Sequence, residues 1–148
     1  LFLARQGAGA TLNGSPIRVS AVDRMIASIL VTGFSYDFER RAQQAEVWRD
    51  FLTRVQAIRQ TGSAALNLCY IAAGRLEGYW ERGISPWDVA AGAVIVTEAG
   101  GMVTDMRGGT FHSDDREILA SNGRLHLDLL DIITAHDVAP PGQSQLGS

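Results

Sequence analysis

The sequence contains no lysine; all thirteen of its basic residues are arginine. That absence excludes a lysine nucleophile and the phosphate-gripping lysine of a P-loop. A single cysteine, Cys69, excludes an intrachain disulfide framework and fits a reducing, cytoplasmic compartment. It falls in the apolar run 64–73, where a free cysteine packs as a small hydrophobe. No apolar run reaches the length of a membrane span; the longest covers residues 89–96. Signal-peptide patterns and internal repeats are missing as well. A formal charge of -3 offers no reason to expect nucleic acid or an anionic membrane as a partner. What remains is an ordinary globular composition, 46% hydrophobic and 20% charged over 148 residues, enough for one domain with a real core.

Punctuation and periodicity divide the chain. Residues 1–5 and 10–12 read as strands joined by a glycine-containing turn, and Asn13-Gly14-Ser15-Pro16 makes a second turn before a short strand at 17–20. The β-branched run 29–32 reads as a buried strand. Phe38, Ala42, Ala45, Trp48, Leu52 and Val55 recur at helical spacing over 37–55. Apolar helices are expected over 64–73, 85–99 and 124–135, with strands at 55–59, 76–82, 102–105 and 117–121. Strands alternating with helices that are apolar on most sides predict an α/β layered fold with a largely parallel sheet flanked by helices. The expected divisions are an N-terminal β-hairpin region at 1–20, an α/β domain at 21–136, and a tail at 137–148 whose composition, APPGQSQLGS at its end, suits disorder.

Several motifs carry letters of chemistry without its context. Gly7-x-Gly9 follows a strand, but the third glycine of a dinucleotide fingerprint would fall on Leu12 and no helix follows. His112, Ser113, Asp114 and Asp115 are sequence neighbours, whereas members of a catalytic triad meet through space. His126 and His136 lack metal-ligand spacing.

Two segments hold more. In Arg59 to Leu66 a strand leads into Gly62-Ser63 and a helix, whose first N–H groups have no internal partners. They suit an anionic or hydroxyl-bearing ligand, and Gly62 would let it approach; equally, Ser63 serves as a plain N-cap. In Ser85-Pro86-Trp87-Asp88, Ser stands at the N-cap, Pro at the first helical position and an acid at the third, a capping-box pattern. The cap accounts for Asp88 but not for Trp87, nor for Glu81, seven residues upstream at a strand end. In α/β folds ligands collect at the carboxyl ends of strands. Glu81, Asp88 and Gly62-Ser63 are thus expected to line one crevice, where an acid suits Mg²⁺ held together with substrate phosphate oxygens.

TGSAALNLCYIAAGRLEGYWERGISPWDVAAGAVIVTEAGG, residues 61–101, closely resembles the C-terminal part of the inositol monophosphatase family. Trp87-Asp88-Val89-Ala90-Ala91-Gly92 matches its W-D-x-x-A-G signature, the family's EAGG follows, and residues 4–20 are similar to its middle hairpin. The resemblance runs from about residue 1 to about residue 133. It implies the C-terminal part of a sugar-phosphatase-like fold and a lithium-sensitive, Mg²⁺-dependent hydrolysis of a phosphate monoester, with water attacking phosphorus in line. The substrate would be a small phosphorylated polyol or sugar, inositol 1-phosphate first, and the intact protein a homodimer. It also implies that Asp88 is a metal ligand, that Gly62, Ser63 and Ala64 contact the substrate ring, and that Glu81 bonds substrate hydroxyls. Relatives acting on fructose bisphosphate, histidinol phosphate or an adenosine bisphosphate, and a non-catalytic interaction module, are the alternatives.

The sequence departs from the family in one respect. None of its sixteen acids falls in the D-P-x-D-G-T pattern that supplies most of the family's metal ligands, nor is the upstream Glu that helps activate the water found. The chain is therefore expected to be the C-terminal half of the enzyme, its hairpin left over from a sheet built largely by the other half, and to be inactive by itself.

Overall fold

The computed structural model describes residues 1–137. Phe2–Arg5 (β1), Gly9–Leu12 (β2) and Ser15–Ile17 (β3) form a small antiparallel sheet in the order β1-β2-β3. Asn13, with φ 51°, and Gly14, with φ 82°, make the tight turn between β2 and β3 that an Asn-Gly pair favours. The third strand is shorter than expected and lies earlier. Beyond Ile17 the chain leaves the sheet, and Val19 N–H bonds the Ala99 carbonyl at 3.1 Å. Pro16 is tolerated because β3 is an edge strand.

The second sheet takes Ile29–Thr32 (β4), Ala57–Arg59 (β5), Gly78–Arg82 (β6), Met102–Thr104 (β7) and Glu117–Ser121 (β8) in the order β5-β4-β6-β8-β7. The helices are Phe38–Leu52 (α1), Ala64–Ala72 (α2), Pro86–Glu98 (α3) and His126–Ala135 (α4). The α/β layering is as expected, but the sheet is mixed rather than largely parallel. β4 pairs β5 and β6 in parallel, while β8 pairs β6 and β7 antiparallel. The cause is the long connection after β7. It brings β8 back between β6 and β7 without a crossover helix, and a parallel neighbour needs such a crossover.

Alternation along β6 separates two cores. Tyr79 joins α2, α3 and the small sheet in one, while Trp80 joins α1 and α4 in the other. The layers therefore run small sheet, α2–α3, large sheet, α1–α4. Connections reverse direction at β5, and right-handed crossovers then send α1 and α2 to opposite faces.

Helix α1 keeps its expected face only in part. Asp37 caps it, accepting from Arg40 N–H at 2.9 Å. The inward residue is Phe51, fully buried with its ring 4.7 Å from that of Trp80. Phe38 and Leu52 are 81% and 56% exposed. Trp48 and Val55 of the expected stripe do pack into this core, but Phe51 takes the place of Leu52 because its ring fits beside Trp80. Cys69 is buried as expected. α4 starts at His126 instead of 124, since the Asn122 side chain accepts the Leu125 N–H at 3.2 Å and holds the preceding turn. The expected tail at 137–148 lies, from residue 138 onward, outside the described residues.

Candidate functional site

Three strand ends and two helix starts share one rim. β4, β5 and β6 are mutually parallel, so their C-terminal ends lie on one edge of the sheet. α2 and α3 begin just after β5 and β6, so both first turns sit on that edge. The chain leaves β4 toward α1 on one face and leaves β6 toward α3 on the other, and such a divergence opens a crevice between the two strands.

Close helix packing holds the two starts together. A methyl group on Gly92 would lie 2.5 Å from Leu68 Cδ1 and 2.7 Å from Leu68 Cβ, so α2 and α3 meet at a distance only glycine allows. Ser63 stands five residues before Leu68 and Asp88 four before Gly92, on either side of this contact.

Glu81 ends β6 at the crevice. Its side chain shares the face of Tyr79, two positions back, and the fully buried Tyr79 hydroxyl donates to Glu81 Oε2 at 2.6 Å. Burial pushes the Glu81 carboxyl above the usual range. The Tyr79 hydroxyl draws it back, and the negative charge of Asp88 adds to the rise. Burial, and then the charge of Glu81, holds the Tyr79 hydroxyl firmly protonated. Asp88 is exposed, and the Ser85 N–H donates to its Oδ2 at 3.3 Å, the half of the predicted capping box that Asp88 supplies, while the Asp88 N–H bonds the Ser85 carbonyl at 3.0 Å. Trp87 stands 81% exposed beside it.

On the neighbouring helix, Ser63 caps α2 by accepting the Leu66 N–H at 3.3 Å. Gly62 has φ +85°, a left-handed conformation, and no atom lies within 4 Å of where its Cβ would stand. Ala64 turns into the core shared by α2 and α3. Gly62, Ser63, Ala64, Glu81 and Asp88 thus stand at element ends on one edge of the sheet, and the charge of Asp88 acts on Glu81.

The other candidates lie elsewhere. His112 N–H bonds Asp115 Oδ2 at 2.9 Å within a short 3-10 turn. His126 is buried between the Ser121 and Thr104 hydroxyls, at 2.8 and 2.9 Å. His136 pairs with Asp50 at 3.0 Å. Two clefts, of about 790 and 460 Å³, touch none of the five rim residues. Among the described residues, no three Asp, Glu, His or Cys side chains gather where they could hold a metal ion.

Sequence reasoning missed Gly33 and Tyr79. Strand alternation marks Tyr79 as sharing the face of Glu81. Nothing local marks Gly33, which follows β4 and lies against the carboxylate of Glu81, 48 residues away.

Known proteins resemble this chain over most of its length. The profile of the inositol monophosphatase family matches residues 1–137. The chain is 46% identical to an inositol-1-monophosphatase of Synechocystis, covering 91% of this chain and 47% of that protein. It is 43% identical to the Nus factor SuhB of Vibrio cholerae, covering 84% of this chain and 47% of that one. Among solved structures it resembles an inositol monophosphatase from Anabaena, with TM-score 0.84 and 40% identity over 90% of this chain and 54% of that one. The chain spans about half the length of the curated relatives it matches.

Proposed function

The chain belongs to the inositol monophosphatase family, and from that premise we propose that it is the C-terminal half of a Mg²⁺-dependent phosphomonoesterase. Its substrate is a small phosphorylated polyol or sugar, with inositol 1-phosphate foremost. The observation that carries this reading is the edge of the sheet itself: Glu81 at the end of β6 and Asp88 in the first turn of α3, on the same edge as the α2 start at Gly62-Ser63.

The roles follow from the chemistry of each group. Asp88 is exposed and its capping bond uses one oxygen, which leaves the other for a metal. Glu81, with Oε2 engaged by Tyr79, accepts substrate hydroxyls through its free valences. Gly62 offers no bulk, so a ring can approach the first turn of α2, where Ala64, packed toward the core, adds only a methyl group. The donor set suits a hard cation, but it is partial: a Mg²⁺ site shared with phosphate wants more carboxylate than Asp88 supplies. Magnesium, when bound, would neutralise phosphate charge and activate water. Residues 1–20 belong in this reading to a sheet completed by the other half, and the intact protein is a homodimer.

The test is phosphate release from inositol 1-phosphate by the 148-residue chain, alone and after co-expression with residues preceding this region in the Synechocystis relative. No release alone, and Mg²⁺-dependent, lithium-inhibited release on complementation, is expected. Release by the chain alone would overturn the half-site reading. Faster turnover of fructose bisphosphate, histidinol phosphate or an adenosine bisphosphate would move the substrate within the family. A second reading, a non-catalytic interaction module, is favoured by one observation: a relative of similar identity is named a Nus factor. A complemented protein that lacks activity with every one of these esters would support it.

A further inference from the structure

Gly33 follows the last residue of β4, and β4 pairs β6 in parallel with Val31 opposite Tyr79 and Thr32 opposite Trp80. One more step along that pairing sets Gly33 opposite Glu81. The space where a Gly33 side chain would begin is already taken. A Cβ there would lie 2.3 Å from Glu81 Oε1 and 2.4 Å from both Cδ and Oε2. The carboxylate therefore lies against bare backbone, in a place any other residue would fill. From below, the buried Tyr79 hydroxyl holds Oε2 at 2.6 Å. Thr32 ties the same two strands together, its hydroxyl donating to the Trp80 carbonyl.

We infer that Gly33 and Tyr79 are positioning residues for Glu81: one leaves the space its carboxylate occupies, the other fixes one oxygen and so holds the second beside Gly33 at the end of β4. A carboxylate fixed at one oxygen accepts from a hydroxyl without first losing rotational freedom. The pair thereby sets how strongly the site prefers a polyhydroxylated ligand to one without hydroxyls. This selectivity rests on the proposed role of Glu81; the positioning does not.

Two measurements separate these. The first uses the 148-residue chain. The Tyr79 hydroxyl proton, buried and bonded to a carboxylate, should give a downfield, slowly exchanging NMR signal with a cross-peak to the Glu81 side chain. Gly33→Ala, which displaces the carboxylate, should abolish that cross-peak while amide spectra remain folded. Tyr79→Phe, which conserves volume, supplies the assignment. A cross-peak that survives Gly33→Ala overturns the positioning. The second uses the complemented enzyme and compares kcat/KM for inositol 1-phosphate with that for an aryl phosphate. Tyr79→Phe and Gly33→Ala should each lower the ratio about fivefold to tenfold, one hydrogen bond's worth of discrimination. Loss of the cross-peak with an unchanged ratio upholds the positioning and overturns the hydroxyl-binding role of Glu81.

Discussion

The Glu98 carboxylate, on the last turn of α3, accepts the N–H groups of both Gly7 and Gly9 at 2.9 Å. The helix that begins beside Asp88 thus ends by gripping the turn between β1 and β2. The bond from the Gly7 amide, then that from Gly9, lowers the Glu98 pKa. Ionised Glu98 therefore favours the folded state above the usual carboxylate range, and its contribution fades as pH falls through the lowered value. Glu98→Ala should speed amide hydrogen exchange at Gly7 and Gly9 while leaving the strands of the large sheet protected. Unchanged exchange at both glycines would show that the grip is incidental.

Asp88→Asn separates cap from ligand. Asparagine keeps an oxygen for the Ser85 N–H, so urea unfolding of the chain should move by less than about 1 kcal/mol. In the complemented enzyme the same change should cost roughly a hundredfold in turnover, as disturbed metal sites commonly do. Activity that survives would mean that the cap alone explains the residue.

Glu81 should carry a cost to stability. Its pKa is raised, chiefly by burial. The folded state therefore binds its proton more tightly than the unfolded chain does, and the group's contribution declines as pH rises from the usual carboxylate value through the raised one. Glu81→Gln should make the chain more stable at neutral pH and flatten this part of the stability–pH curve. A variant that is less stable at pH 7 would contradict the argument.

The opposite sign applies to His126. Burial lowers its pKa, so the folded state keeps it neutral between the Ser121 and Thr104 hydroxyls. Its contribution is complete above the ordinary histidine value, near pH 6.5, and declines as pH falls below it. His126→Ala should cost about 2–4 kcal/mol, from a cavity and two hydroxyls left without their partner, and should remove this acid-side slope. Chemical unfolding between pH 5 and pH 8, a window spanning the ordinary histidine pKa, measures both.

Gly92→Ala should destabilise by about 1–3 kcal/mol, the usual range for an overpacked contact, because the new methyl meets Leu68 Cδ1 at 2.5 Å. Leu68→Ala, costly alone, should recover part of that loss in the double variant, since neighbouring sites couple. Strict additivity would show that the helices do not touch there.

Legibility in the sequence tracked how local each feature is. The start of α3 was readable because Ser85, Pro86 and Asp88 act within one turn. The cap at Ser63 was readable for the same reason. In the α1 stripe Trp48 and Val55 were readable, while Leu52 stood where Phe51 belongs: both are apolar, and only the ring of Trp80, far along the chain, selects between them. The mixed sheet was hidden because nothing in Glu117–Ser121 announces a partner. Gly33 was silent for a like reason: its role is to lack a side chain beside Glu81, and a gap has no pattern of its own.

The parallel pairing of β4 with β6 also has a consequence in time. Residues 30–32 meet residues 78–80 only after the intervening chain has closed a long loop, with β5 laid on the far side of β4. Such contacts form slowly, whereas a capped helix turn forms locally. Asp88 should thus be in place early in refolding and Glu81 late, when Gly33 arrives beside it. Pulsed hydrogen exchange should find the α3 amides protected before those of β4.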